Sequence, residues 1–147
     1  MLVIDGKLLV VHSYQADIYD PSTCDNLMSY KTGQNLITKA CVYAKNKFCI
    51  ACNGKLLAYC ANSSRPVAEM KIDDHITDMQ FADEENLVYI LEGKGKLVKL
   101  NIKSLEKTEF DINQPLSLLV DKEKIFVGNA EGILLVTDFN LKKLHKV

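Results

Sequence analysis

The segment from Ile76 to Ile112 constrains the fold of this chain more than any other part of the sequence. It contains four runs of apolar or alternating residues: Ile76–Phe81, Leu87–Leu91, Leu97–Ile102 and Lys107–Ile112. An acidic turn, a glycine turn and a short polar turn separate them, and this combination is typical of consecutive β-strands. The segment therefore predicts one four-stranded antiparallel unit.

The same succession of four strands fits the chain four times. The other predicted strands are Leu2–Ile4, Leu8–Val11, Ala16–Asp20, Leu27–Tyr30, Ile37–Tyr43, Phe48–Cys52, Lys55–Cys60, Val67–Ile72, Leu116–Val120, Ile125–Val127, Ile133–Asp138 and Lys142–Val147. The third strands recur about every 40 residues, close to the roughly 40–45 residues of a propeller blade. We predict an all-β fold, a β-propeller of about four four-stranded antiparallel blades, or part of a larger propeller. The blades span approximately 1–35, 36–74, 75–114 and 115–147 of a single domain, 1–147.

Strand composition predicts positions within each blade. The second strand of each copy is continuously apolar, which predicts burial on both faces. The fourth strand mixes apolar residues with Lys and Glu, which suits an outer edge. Asn53-Gly54 predicts a type I′ hairpin turn. No stretch supports more than a single helical turn.

Composition and charge exclude several classes of protein. The formal net charge of −1 and the pI near 6.3 argue against nucleic-acid binding through a broadly basic surface. No apolar run approaches the roughly 18 residues of a membrane helix, and Met1–Gly6 lacks the basic start of a secretory signal. Five cysteines are an odd number, which favours reduced thiols in the cytoplasm or nucleus.

The Cys49-x-x-Cys52 pair has the spacing of half a zinc site or of a redox motif. It falls within a predicted strand, where residues three apart point to opposite faces. No second Cys or His pair stands at a matching distance. We therefore predict buried, small apolar side chains here, with no metal and no cofactor.

The repeat unit resembles a WD repeat. The resemblance is carried by the inner strand Ile76–Phe81, the turns Asn53-Gly54 and Glu131-Gly132, and the strand ends Tyr19-Asp20 and Thr137-Asp138. It implies a propeller that acts as a scaffold within multi-subunit complexes, with some family members supporting RNA-modifying enzymes.

The sequence also departs from the WD-repeat pattern. It contains no tryptophan, and the positions that correspond to the family's Trp hold Tyr19, Tyr59, Leu100 and Thr137. The Gly-His pair that opens a repeat is absent. A divergent repeat of the quinoprotein-like type is the alternative. Three forms of closure also stay open: completion by another segment or chain, a closed four-blade ring, and two copies forming an eight-blade ring.

Candidate site residues lie in the predicted loops. Asp73-Asp74-His75 joins two predicted blades, and adjacent acidic residues in such a loop are either a binding element or a solvated turn. Gly93-Lys94-Gly95-Lys96 lacks the strand-loop-helix context of a phosphate loop, which favours a basic hairpin. The predicted binding residues are Tyr14, Asn53, Asp73, Asp74, His75, Lys94 and Glu131.

The sequence predicts a binding module and no catalytic residues. His12, His75 and His145 are scattered, and no serine stands in a nucleophile elbow. Lys142, Lys143 and Lys146 form a basic cluster that suits edge protection or an RNA contact. We expect a non-enzymatic scaffold that binds other protein subunits. The alternatives are an accessory RNA-binding subunit and a propeller enzyme with a site in its central channel.

Overall fold

A computed structural model describes residues 1–43, 46–121 and 123–147, and all regular elements in these residues are β-strands. The strands form four antiparallel sheets of four, each in chain order. The chain divides into two compact units, Met1–Asp73 (the first unit) and Asp74–Val147 (the second unit), with two sheets in each. Assignment of the whole chain to a single domain stays a prediction.

The first unit contains eight strands. One sheet consists of β1 (Leu2–Ile4), β2 (Lys7–Val11), β3 (Gln15–Tyr19) and β4 (Asn26–Lys31), and the other of β5 (Ile37–Tyr43), β6 (Lys47–Cys52), β7 (Lys55–Cys60) and β8 (Pro66–Lys71). The second unit repeats this arrangement. Its sheets are β9 (Ile76–Phe81), β10 (Asn86–Leu91), β11 (Lys96–Asn101) and β12 (Lys107–Asp111), then β13 (Pro115–Asp121), β14 (Lys124–Asn129), β15 (Leu134–Asp138) and β16 (Lys143–Lys146).

All sixteen predicted strands are present, with ends within about two residues of the prediction. Alternation and turn residues are local signals, and strand formation here follows them closely. The all-β class and the four four-stranded antiparallel sheets are therefore confirmed.

The first strands of three sheets contain a bulge at the same place. Thr38, Thr77 and Leu116 are each skipped in the pairing with the second strand. A bulge inserts one extra residue and increases the local twist of the strand. Its recurrence at equivalent positions supports the assignment of the sheets as copies of one repeat.

The predicted type I′ turn at Asn53-Gly54 is wrong. Only Gly54 has a positive φ, of 76°, whereas a type I′ turn needs positive φ at both central residues. Asp5 and Gly6 do meet that requirement, with φ of 48° and 68°, at the hairpin between β1 and β2. A short polar side chain at Asp5 tolerates this left-handed conformation better than a branched one would.

An aromatic cluster lies at the centre of the first unit's core. The Phe48 ring stands 4.8 Å from that of Tyr30 and 5.1 Å from that of Tyr59, measured between centroids. The Tyr30 hydroxyl donates to the Ala61 carbonyl at 3.1 Å. Burial, together with Tyr59 and Cys60 nearby, raises the pKa of Tyr30 to about 12. These rings give the first unit a large, well-packed apolar centre.

The second strands are not all buried on both faces. Burial on both faces holds for β6 and β10, in which five of six residues are buried. It fails for β2 and β14. In β2, Leu9 faces the core, whereas Leu8 and Val10 lie on the opposite face and are only half-buried. In β14, Phe126 is likewise half-buried between two buried residues.

Polar side chains of β9 hold the neighbouring strand β13 in the second unit. The Asp78 carboxylate accepts from the Leu118 N–H at 3.0 Å, and the Gln80 Oε1 accepts from the Val120 N–H at 2.9 Å. The Gln80 Nε2 also donates to the Val120 carbonyl at 3.3 Å. Among the described strands, β13 pairs only with β14, so side chains of β9 supply these further partners for its backbone groups.

We expect Gln80→Leu to lower the free energy of unfolding by about 1–3 kcal/mol, because it leaves the half-buried Val120 N–H without its acceptor. Urea denaturation followed by circular dichroism measures this loss. Thr77→Ala on the same strand is the control, since its 3.5 Å contact with Glu92 is too long to contribute much. Equal stability of the two variants would contradict this role of Gln80.

Candidate functional site: the loop surface of the second unit

The loops at one end of the first unit are joined by backbone hydrogen bonds. Thr32 donates to the Tyr14 carbonyl at 3.0 Å, and Asn53 donates to the Leu36 carbonyl at 3.1 Å. The Tyr14 side chain is 51% exposed, and Asn53 and Asp73 are exposed as well. The first unit therefore displays three of the predicted binding residues in its turns and at its last position.

In the second unit, Asp74 anchors one hairpin to the chain segment before β9. Its Oδ1 accepts from the His75 N–H, and its Oδ2 accepts from the Lys94 N–H, both at 2.7 Å. A Cβ added at Gly93 would lie 2.8 Å from the Asp74 Oδ1, so a larger residue there would displace the Asp74 carboxylate. Asp74 therefore positions the Lys94 hairpin and leaves His75 and Lys94 exposed beside it.

Glu131 lies in the next hairpin, and an amide joins it to the connection between β12 and β13. The Asn113 Nδ2 donates to the Glu131 Oε1 at 2.7 Å. The Asn129 Oδ1 accepts from the N–H groups of Glu131 and Ile133 at 3.1 and 2.8 Å, which fixes the turn. Glu131 is thus held in place by neighbours on both sides.

These loops of the second unit form one continuous surface. Ile112 donates to the Gly95 carbonyl at 2.9 Å, and Ala130 donates to the Gln114 carbonyl at 3.0 Å. We call residues 74–75, 92–95, 112–114 and 129–133 the loop surface. It brings together four of the predicted binding residues: Asp74, His75, Lys94 and Glu131. Their role in binding stays a prediction.

A buried carboxylate in the first unit was missed by the sequence analysis. Asp17 is 2% exposed on β3, and its Oδ1 accepts from Ser29 Oγ at 2.6 Å and from Gln15 Nε2 at 2.7 Å. Its Oδ2 lies 3.1 Å from His12 Nε2. Burial raises the pKa of Asp17, but hydrogen bonds from Ser29, Gln15 and Asn26 and the charge of His12 outweigh it and leave the pKa lowered.

This cluster is not arranged as a Ser-His-Asp triad. Ser29 and His12 both contact Asp17, whereas in a triad the serine donates to the histidine and the histidine contacts the carboxylate. Asp17 is a polar residue within the apolar run of β3. This break in the apolar pattern is the one sequence feature that could have marked it. Gln15 lies two residues away on the same strand, but Ser29 and His12 come from β4 and from a turn, so no sequence spacing marks the whole cluster.

The cysteine pair lies on β6, as predicted. Cys49 is 0% and Cys52 6% exposed, and both are free thiols. Burial raises the pKa of both thiols, which disfavours the thiolate that a nucleophile or a metal ligand needs. Across the described ranges, no group of three or more His, Cys, Asp or Glu side chains is arranged to hold a metal ion.

In residues 1–43, 46–121 and 123–147, no helix is both long and apolar enough to cross a membrane. No protein-family model matches the sequence. No curated protein matches it either.

The solved structures that resemble this chain are propellers. The Cps50 (Swd1) β-propeller domain of Myceliophteria thermophila superposes with a TM-score of 0.84 at 10% identity, over 97% of this chain and 51% of that chain. The fold is a β-propeller. BBS1N, crystallised with ARL6DN, has a TM-score of 0.81 at 14% identity, over 96% of this chain and 49% of that chain. Chaetomium thermophilum Raptor has a TM-score of 0.84 at 14% identity, over 97% of this chain and 15% of that chain.

The predicted propeller fold is therefore confirmed. The chain spans about half the length of the Swd1 and BBS1N chains. Identities of this size show a shared fold alone, so the WD-repeat resemblance is supported at the level of architecture. Membership of that family, and the way in which the propeller closes, stay predictions.

Proposed function

We propose that this chain is a non-enzymatic scaffold that binds other protein subunits, and that the loop surface of the second unit is its binding site. The observation that carries the proposal is the way the loops are fixed. Asp74 and Asn129 use side-chain oxygens to hold two hairpins, and these hairpins present Lys94 and Glu131 to solvent. Exposed polar loops on a rigid strand scaffold favour recognition of a partner.

Support for a protein partner comes from the structural neighbours. BBS1N, with a similar fold, was crystallised in complex with ARL6DN, so a propeller of this kind can bind a protein. Support for a role without catalysis comes from the cluster at Asp17, in which Ser29 and His12 each contact the carboxylate and do not form the Ser-His-Asp order of a triad. The chain's partners then include further propeller segments or a second copy, which would complete the propeller. The free, buried thiols of Cys49 and Cys52 fit the reducing cytoplasm or nucleus.

The loop surface is tested with a pair of matched double variants. Lys94→Ala/Glu131→Ala removes one positive and one negative charge from the loop surface. Lys103→Ala/Glu106→Ala removes the same charges from the turn between β11 and β12, at the other end of these strands. The variants and the unaltered chain are used as affinity baits in a lysate of the source organism, and bound proteins are quantified by mass spectrometry.

We expect the unaltered chain and the Lys103→Ala/Glu106→Ala variant to recover the same proteins. Recovery by the Lys94→Ala/Glu131→Ala variant should fall at least about tenfold, which corresponds to roughly 1.4 kcal/mol of binding free energy. Circular dichroism should show both variants folded, because all four side chains are exposed. Equal recovery by the two variants would reject the loop surface as the binding site.

A further inference from the structure

A groove in the second unit runs between the outer strands of its two sheets. Its floor consists of Phe110, Ile112, Ile133 and Leu135, and its volume is about 210 Å³. Pockets that enclose whole small molecules span roughly 300–1,000 Å³, so this groove suits a single side chain of a larger ligand. It overlaps the loop surface at residues 112, 113, 129, 131 and 133, and the two lysines of β16, Lys143 and Lys146, lie outside that surface.

A bulge in β16 places two lysines on the same wall of this groove. Lys143 pairs with Thr137 and Lys146 pairs with Leu135, with Leu144 as the extra residue between them. Residues three apart on a regular strand point to opposite faces, and the bulge brings Lys143 and Lys146 to the same face. Their partners on β15 are two residues apart, which corresponds to about 7 Å at roughly 3.4 Å per residue.

The charges of these two lysines are available to a ligand. Neither Lys143 nor Lys146 forms a salt bridge within residues 1–43, 46–121 and 123–147. The nearby carboxylates are already engaged. Asp111 accepts from Lys96 Nζ at 2.8 Å, and Glu131 accepts from Asn113. The groove therefore combines an apolar floor with two lysines that lack a counter-charge.

We propose that this groove binds an extended acidic peptide segment of a protein partner. In an extended peptide, alternate side chains lie on one face about 7 Å apart, which matches the separation of Lys143 and Lys146 along the strand. Two acidic residues at positions i and i+2 contact the lysines. An apolar residue two positions before or after them enters the groove. The proposal rests on the proposed function, since it assumes a protein partner, and it adds the chemistry that this partner presents.

An RNA ligand fits the same lysines less well. A phosphate backbone is bound by a continuous cationic track with exposed aromatic side chains for the bases. Here the carboxylate of Glu131 also lines the groove, and Phe110 is packed against the core of the unit. An acidic peptide, by contrast, uses the apolar floor as well as the lysines.

The test is a display library of random decapeptides selected on the immobilised full chain. Parallel selections use Lys143→Ala/Lys146→Ala, the charge-reversed Lys143→Glu/Lys146→Glu, and the control Lys103→Ala/Lys124→Ala, which removes two exposed lysines from the other end of the unit. We expect the chain and the control to enrich sequences with two acidic residues two apart beside an apolar residue. Lys143→Ala/Lys146→Ala should lose this enrichment, and the charge-reversed variant should enrich basic sequences.

The enriched peptide, labelled with fluorescein, is then titrated by fluorescence polarisation. Lys143→Ala/Lys146→Ala loses two exposed charge pairs with the peptide, which should weaken binding by about tenfold. The control keeps both pairs and should weaken binding by less than about twofold. The proposal is overturned if no acidic sequences are enriched or if Lys143→Ala/Lys146→Ala binds them equally well. It is also overturned if a labelled single-stranded RNA decamer displaces the peptide and binds more tightly than it.

The two proposals fail in distinguishable ways. If no acidic peptide depends on Lys143 and Lys146, but the Lys94→Ala/Glu131→Ala variant still loses its protein partners, the groove proposal fails and the scaffold function stands. If acidic peptides are enriched but partner recovery is unchanged by that loop variant, the loop surface fails and the groove stands.

Discussion

Phe48→Ala should lower the free energy of unfolding by about 3–5 kcal/mol, the cost of replacing a fully buried phenylalanine with alanine. Phe48 is 0% exposed on β6, and its ring contacts the rings of Tyr30 and Tyr59. The variant loses the apolar transfer free energy of the ring and both aromatic contacts, and it leaves a cavity that the surrounding strands fill only in part. Urea denaturation monitored by circular dichroism gives the change in unfolding free energy.

Tyr14→Ala is the matched control for Phe48→Ala. It also removes an aromatic ring from the first unit, but that ring is 51% exposed in a turn. We expect a change of less than about 0.5 kcal/mol, as for most surface substitutions. If Phe48→Ala cost no more than Tyr14→Ala, the aromatic cluster would not be the packed centre of this unit.

Asp17→Ala should lower the free energy of unfolding by about 2–3 kcal/mol, the range for loss of hydrogen bonds to a buried charged group. The substitution removes the acceptor for Ser29 and Gln15 and the counter-charge for His12. Asp25→Ala is the control, because it removes an exposed carboxylate from the same unit. A similar cost for the two variants would contradict a structural role of the Asp17 cluster.

The same residue gives a pH dependence with a defined sign. The pKa of Asp17 is lowered from its ordinary value of 3.8 in the folded chain. Its contribution to stability is therefore fully present above pH 3.8 and is lost as the pH falls through the lower folded pKa. Unfolding free energies measured at neutral and acidic pH should fall less for Asp17→Asn than for the unaltered chain. An equal fall would show that Asp17 titrates alike in the folded and unfolded states.

The amino-acid sequence determined the strands and their grouping because those features depend on near neighbours. The alternation in Ile76–Phe81 and the turn residues between the apolar runs are local, and they predicted all sixteen strands and four sheets. The loops that hold Asp74, His75, Lys94 and Glu131 follow directly from the ends of those strands, so their location was predictable too. Their contacts were not, since the bond from the Lys94 N–H to Asp74 spans twenty residues.

Only the tertiary structure decided which side chains meet. The bulge that brings Lys143 and Lys146 to one face depends on register with β15, and register is set by the packing of a whole sheet. The groups that contact the Asp17 carboxylate come from β3 itself, from β4 and from the turn before β3. The same holds for burial: β2 and β6 are both apolar runs, yet only β6 is buried on both faces. Local sequence favours the extended conformation in each case, whereas burial depends on residues distant in the chain.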